Sequence, residues 1–230
     1  MPDYSVLLKT INLSFKNQDL LIQALTHRSY LNEHPGEVPG HNERLEFLGD
    51  AVLELAVTDY LYREYPDKPE GELTSVRAAV VNTNSLSFTA KEIGLNDYLL
   101  LSKGEAKDAG KARDYILANA LEALIGAIYL DQGYKEAADF INIWLIKKVP
   151  QIIGDSLWQD PKSLFQEKAQ EKAGFTPVYK VIKETGPDHD KQFLVGVFLG
   201  EEEAGRGGGS SKQEAEREAA ENALKNKKWA

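Results

Sequence analysis

Over the first 150 residues the apolar positions recur at helical spacing, and the elements they predict are almost all α-helix. Residues 17–31 place Leu20, Leu21, Ala24, Leu25 and Leu31 on one helix, and 33–41, with two Pro and two Gly, follow as a loop. Asn42 is the expected cap of a helix over 43–65, whose stripe is Leu45, Leu48, Val52, Leu55 and Ala56. Pro66 and Pro69 end it. A further helix starts at Gly71, turns Leu73, Val76, Val80, Leu86 and Phe88 inward and closes at Gly94. Residues 103–112 read as an exposed loop. Residues 113–130 are so uniformly apolar, from Ile116 to Ile128, that they predict a central buried helix, bounded by a turn at 131–133. One more helix is expected over 134–149.

After residue 160 the pattern changes. Residues 150–160 are the candidate linker between a helical domain (1–150) and a small second domain (161–228). Pro161 suits a first helical position, and 163–173 continue as helix. Residues 178–182 and 191–199 alternate as strands around a turn at 185–190. A glycine-rich stretch, Gly205–Gly209, precedes a long final helix capped by Ser210 or Ser211, with Ala215, Ala219, Ala220, Ala223 and Leu224 on one face. The expected architecture is an all-α domain followed by an α-β-β-β-α domain of the α+β class.

Composition narrows the class. The chain is 42% hydrophobic and 27% charged, as soluble domains are, and has no cysteine for disulfides or thiolate metal sites. No stretch approaches the roughly 18 apolar residues of a membrane span, and the N-terminus lacks the basic-then-apolar order of a signal peptide. A cytoplasmic protein without a membrane partner is expected. The net charge of −9 argues against bulk attraction to polyanions. Residues 1–155 hold 15 Lys+Arg against 23 Asp+Glu, whereas 156–230 hold 12 against 13. The acidity therefore belongs to the helical domain, which either avoids polyanions or uses its carboxylates to hold cations.

The densest chemistry is at residues 41–50, HNERLEFLGD. Glu43, Glu46 and Asp50 sit at i, i+3 and i+7, on one face of one helix, where they repel each other unless cations intervene. Gly49 in mid-helix costs up to about 1 kcal/mol relative to Ala, which points to close approach by something, another backbone being one candidate. Asn119 and Glu122 are one turn apart on the buried helix. A carboxylate there needs a metal ion or a cationic partner, and Arg44 and Arg113 are the alternatives to a metal. Oxygen ligands without His or Cys select Mg²⁺ or Mn²⁺, and Mg²⁺ held by carboxylates suits phosphodiester hydrolysis. Acidic residues at helical spacing usually form a solvated face, so spacing alone makes only a modest case for a metal site.

Asn42–Asp50 (NERLEFLGD) resembles the signature of the ribonuclease III family. Gln23–Tyr30 (QALTHRSY) and Ile116–Asp131 (ILANALEALIGAIYLD) are similar to that family's early helix and second acidic helix. Ser210–Ala220 (SSKQEAEREAA) is similar to the closing helix of a double-stranded-RNA-binding domain. The resemblance spans nearly the whole chain in the bacterial two-domain arrangement. It implies a homodimeric endonuclease that cuts RNA duplexes with Mg²⁺ (Mn²⁺ substituting) and no small-molecule cofactor. The products would carry 5′-phosphates and short 3′ overhangs, from ribosomal precursors or messenger RNA. Carried over by position, Glu46 and Glu122 match metal ligands, and Asp50 a residue that holds water on the metal. Glu43 and Glu70 match acidic residues nearer the RNA and the cleft edge, and Phe47 an aromatic that packs across the dimer interface. Asn119 stands where the family often has Asp; its amide oxygen can still serve a metal but brings no charge, so weaker metal affinity is expected. A binding protein that has lost cleavage would be expected to have lost charge at Glu46, Asp50 or Glu122, and all three are present.

Duplex RNA is recognised by shape, through 2′-hydroxyls and phosphates. The resemblance places Gln166, Gln170 and His189 at minor grooves, and Ser211 and Lys212 on phosphate at a helix N-terminus, itself an anion site. Lys212 is followed by Gln213 and Glu214 where such domains often carry more basic residues, so a shallow salt dependence is expected.

Overall fold

The computed structural model describes residues 2–107, 110–155, 158–187 and 191–229. The chain forms two compact units, one through Trp158 and one from Gln159.

The first unit is helical: α1 (Ser5–Thr10), α2 (Gln18–Ala24), α3 (Arg28–Glu33), α4 (Glu43–Glu64), α5 (Glu70–Val81), α6 (Thr83–Glu92), α7 (Lys111–Gln132), α8 (Tyr134–Trp144) and α9 (Val149–Gly154). Its centre is α7, in which every residue from Ile116 to Ile128 is buried except Asn119 and Glu122.

Several expected helices are broken where the backbone is used elsewhere. The helix expected over 17–31 ends at Ala24, because the next residues pair across the fold. Thr26 forms a parallel bridge with Leu100, His27 N–H donates to the Leu100 carbonyl (3.0 Å), and Leu100 N–H donates to that of Leu25 (2.8 Å). The helix expected over 71–94 splits at Asn82, which is extended (φ −71°, ψ 161°) and whose Oδ1 accepts the Ser85 N–H to start α6. Gly94, at φ 73°, closes α6 as expected. The helix expected over 134–149 stops at Trp144 and gives way to a 3₁₀ turn. Pro150, expected to start a linker, instead sits in the first turn of α9, where its missing N–H costs nothing. Asn42 does precede α4, but its backbone is helical and its side chain caps nothing. Its N–H donates instead to the Thr26 carbonyl (2.9 Å), which fixes where α4 begins. Phe88 and Leu55, expected inward, are 58% and 57% exposed.

The second unit is α10 (Pro161–Ala173), β1 (Val178–Thr185), β2 (Gln192–Leu199), β3 (Glu202–Gly209) and α11 (Lys212–Lys227). The strands form an antiparallel sheet in the order β1-β2-β3. Asp160 caps α10 by accepting the Ser163 N–H (2.9 Å), a cap not expected from the sequence. The glycine-rich stretch is a strand. A Cβ on Gly205, Gly207 or Gly209 would lie 2.2–2.7 Å from backbone atoms of α11. These glycines let the alanine face of α11 (Ala215, Ala219, Ala220, Ala223) lie directly on the sheet, where Phe165 of α10 and Val195 and Val197 of β2 complete the core.

Candidate active site

The site is built by the crossing of α4 and α7. A Cβ on Gly49 would lie 1.8 Å from the Glu122 carbonyl oxygen, and one on Gly126 would lie 2.3 Å from that of Leu45. The two backbones touch at this pair of glycines, and no larger residue fits at either. The unusual glycine in α4 is thus explained by a neighbouring backbone. Its partner, Gly126, was not singled out from the sequence, because a glycine among small apolar residues carries no signal of its own.

That contact brings the acidic side chains together. Asp50 follows Gly49, and Glu122 lies one turn before Gly126. Glu122 is half-buried, and its carboxyl is pushed up to about 8, first by burial and then by the negative charges of Asp50 and Glu46. Glu46 is also raised, by burial and by the charges of Glu43 and Asp50, while a hydrogen bond from the Asn119 side chain pulls it back down. Neither Arg44 nor Arg113 neutralises Glu122: among the described residues no ion pair reaches it, and Arg113 Nη2 donates to the Ala106 carbonyl (3.1 Å) instead. A carboxylate held beside two others without a cation is the electrostatic condition that a divalent ion relieves.

The donors are two glutamates, one aspartate and one amide, all hard oxygens. Among the described residues no group of three or more His, Cys, Asp or Glu side chains is placed so that it could hold a metal ion. An ion such as Mg²⁺ suits an open set of this kind, since it is held by one or two carboxylates and keeps several waters.

Glu43 sits at the rim of the cluster. Its Oε1 accepts from Arg28 Nη1 (3.2 Å), and His41 Nδ1 lies 3.8 Å from Oε2. Arg28, at the start of α3, is a neighbour of the site that no sequence pattern picked out. Glu70 is the first residue of α5, its Oε1 accepting from the Thr74 hydroxyl (3.3 Å). It lines a cavity of about 550 Å³ between α4 and α5, together with Leu61, Tyr62 and Arg77. Phe47 is 81% exposed, so it is no part of the core.

In the second unit Gln166 and Gln170 are both exposed on α10. Ser211 caps α11, its Oγ accepting the Glu214 N–H (3.1 Å), and Lys212 Nζ lies 5.9 Å from the Phe193 ring centre. The Glu214 carboxylate also accepts from Ser210 N (2.9 Å), which brings negative charge to this helix N-terminus. His189 falls outside the described residues.

Known proteins resemble both units. Residues 17–149 match the family model Ribonuclease-III-like, and residues 161–227 match the double-stranded RNA binding motif. Ribonuclease 3 of Borreliella burgdorferi is 47% identical, covering 96% of this chain and 90% of its own length. Ribonuclease 3 of Oceanobacillus iheyensis is also 47% identical, covering 93% of each chain. The nuclease domain of ribonuclease III from Campylobacter jejuni, a solved structure, is 40% identical, with a TM-score of 0.58 over 64% of this chain and 99% of its own. With its fold, its paired acidic helices and its second unit all accounted for, the chain belongs to the ribonuclease III family.

Proposed function

We propose that this endoribonuclease, which acts on double-stranded RNA, cuts with Mg²⁺ taken up between α4 and α7. The observation that carries the reading is Glu122, held beside Asp50 and Glu46 with no cation among the described residues to balance it. Glu46 and Glu122 are the direct ligands in this reading. The Asn119 amide hydrogens steady Glu46, which leaves the amide oxygen as a further donor. When bound, the ion supplies Lewis-acid charge at the scissile phosphate. Asp50 orients the attacking water, and Glu43, tethered by Arg28, borders the RNA. Mn²⁺ substitutes, and the products carry 5′-phosphates and short 3′ overhangs. The family alone supports ribosomal precursors and messenger RNA as substrates and the cytoplasm as the place of action; among the described residues no helix is long and apolar enough to cross a membrane.

Gln166 and Gln170, four apart on α10, face the minor groove in this reading, while Ser211 and Lys212 take backbone phosphate at the start of α11. The test is to incubate the purified protein with a long RNA duplex, with Mg²⁺ or with EDTA, and to size the products. Short duplex fragments are expected only with the metal. Equal cleavage in EDTA, or intact duplex with Mg²⁺, would refute the proposal.

Homodimerisation is part of the same reading. Phe47, Leu55 and Tyr62 are 81%, 57% and 75% exposed and recur along one side of α4. Phe47 and the cavity beside Tyr62 are 15 residues apart, about 22 Å along the helix. Two α4 helices packed antiparallel about a two-fold axis would therefore bring each Phe47 to the cavity of the other copy. The Campylobacter jejuni nuclease domain likewise has a region involved in dimer formation. The Phe47→Ala variant should dissociate at least about 30-fold more readily, the loss of one buried aromatic anchor (~2 kcal/mol or more), as read by sedimentation equilibrium. An unchanged dimer would place the interface elsewhere.

A further inference from the structure

On the first unit, away from the acidic cluster, a cavity of about 400 Å³ is lined by Lys91, Asn96, Asp97, Lys107, Arg113 and the buried Leu117. Arg113 stands out there. Its Nη2 donates to the Ala106 carbonyl (3.1 Å), but its Nη1 is buried and has no hydrogen-bond partner among the described residues. A buried guanidinium nitrogen without an acceptor is costly, and planar donors of this kind match phosphate oxygens. Lys107 adds a second cation and Asn96 an amide. Lys91 adds a third, shared with Asp114 at 2.5 Å, and Asp97 is the carboxylate on the wall. Among the described residues, three lining cations therefore face one lining carboxylate, at the positive end of the 22-residue α7.

The wall bearing Lys107 is fixed from behind. Ser102 N–H donates to Ser29 Oγ (3.1 Å), Lys103 N–H to the Glu33 carboxylate (3.2 Å), and Ala106 N–H to the Ser102 carbonyl (2.9 Å). Arg113 precedes Glu122 by nine residues, which is about 13 Å along α7 and half a turn round it. The cavity thus faces away from Glu122 and is a second, independent feature.

We propose that this cavity is a binding site for a phosphate-type oxyanion, with Arg113 and Lys107 as its ligands. Two sources share that chemistry: a small free phosphate compound, or a backbone phosphate of bound RNA. The test uses the full chain in EDTA at constant ionic strength, as wild type and as Lys107→Gln and Arg113→Gln. Lys107 is exposed, so its variant stays folded even if Arg113→Gln does not, and thermal melts check both. Inorganic phosphate is titrated by ³¹P NMR, and binding to a long RNA duplex is followed against salt. If the source is free phosphate, the variants bind inorganic phosphate at least five-fold more weakly while duplex affinity holds. If it is the RNA backbone, each variant lowers duplex affinity and reduces the slope of log affinity against log salt by about one. The proposal is overturned if folded Lys107→Gln matches wild type in both titrations. Neither arm involves cleavage, so loss of the nuclease reading would leave this result standing.

Discussion

Glu122→Gln should bind duplex RNA as the native chain does yet cleave it at least about 10³-fold more slowly with Mg²⁺. The neutral amide keeps the shape and the packing of α7 against α4 but removes the charge an ion would use. Single-turnover cleavage together with a binding isotherm separates the two effects, and cleavage at the native rate would remove Glu122 from the site. The same variant has a signature in stability. Glu122 titrates near 8 in the folded chain against an ordinary 4.5. Between those values the folded state holds a proton that the unfolded chain has released. The metal-free native protein therefore loses stability as pH rises from about 4.5 to 8, on the order of 2–4 kcal/mol after allowance for solvent at a half-buried carboxylate. For a unit of this size that is roughly a 5–10 °C fall in melting temperature. Mg²⁺ should reverse most of it, and Glu122→Gln should flatten it. A metal-free melt that is level or rises across this window would contradict the electrostatic account.

Gly49→Ala should unfold or dismantle the first unit. Helix propensity alone predicts the opposite, since Ala in place of a mid-helix Gly gains up to about 1 kcal/mol. Here the added methyl would lie 1.8 Å from the Glu122 carbonyl oxygen and 2.6 Å from its carbon. These are backbone atoms and cannot rotate away, so the helices must separate. The expected loss is at least about 3 kcal/mol, at the upper end for overpacking, and the carboxylates on either side lose their register. Thermal denaturation of the full chain reports it, with the second unit as an internal control. A variant that melts with the native protein and cleaves at its rate would show that the two helices do not meet at Gly49.

The contrast between these residues shows what the sequence carries. Gly49 was legible because it interrupts a good helix, and such a cost asks for a reason. Gly126 was silent, although it makes the same contact from the other side. The carboxylates of α4 were visible by spacing and Glu122 by the apolar run around it, but their meeting is a property of two helices far apart in the chain. Spacing left Arg44 and Arg113 open as partners of Glu122; in the fold neither pairs with it among the described residues. The helix breaks at Thr26 and Asn82 were hidden for a related reason. The apolar period runs straight through both, and what ends each helix is a backbone hydrogen bond to a distant strand-like residue or a capping side chain. The glycines of β3 showed in the sequence only as a glycine-rich stretch, because glycine weakens a strand in isolation. They form one because α11 lies against them. Phe88 and Leu55 were placed inside by a period that cannot tell a core face from one left open.

Two acidic helices sharing one divalent ion are the centre of the proposed mechanism. Diffraction from crystals of the full chain soaked in Mn²⁺ tests this directly, because Mn²⁺ scatters anomalously. The expected result is an anomalous peak within about 2–2.5 Å of carboxylate oxygens from both Glu46 and Glu122, absent in Glu122→Gln. A peak that touches only one of the two helices, or that persists unchanged in the variant, would contradict it.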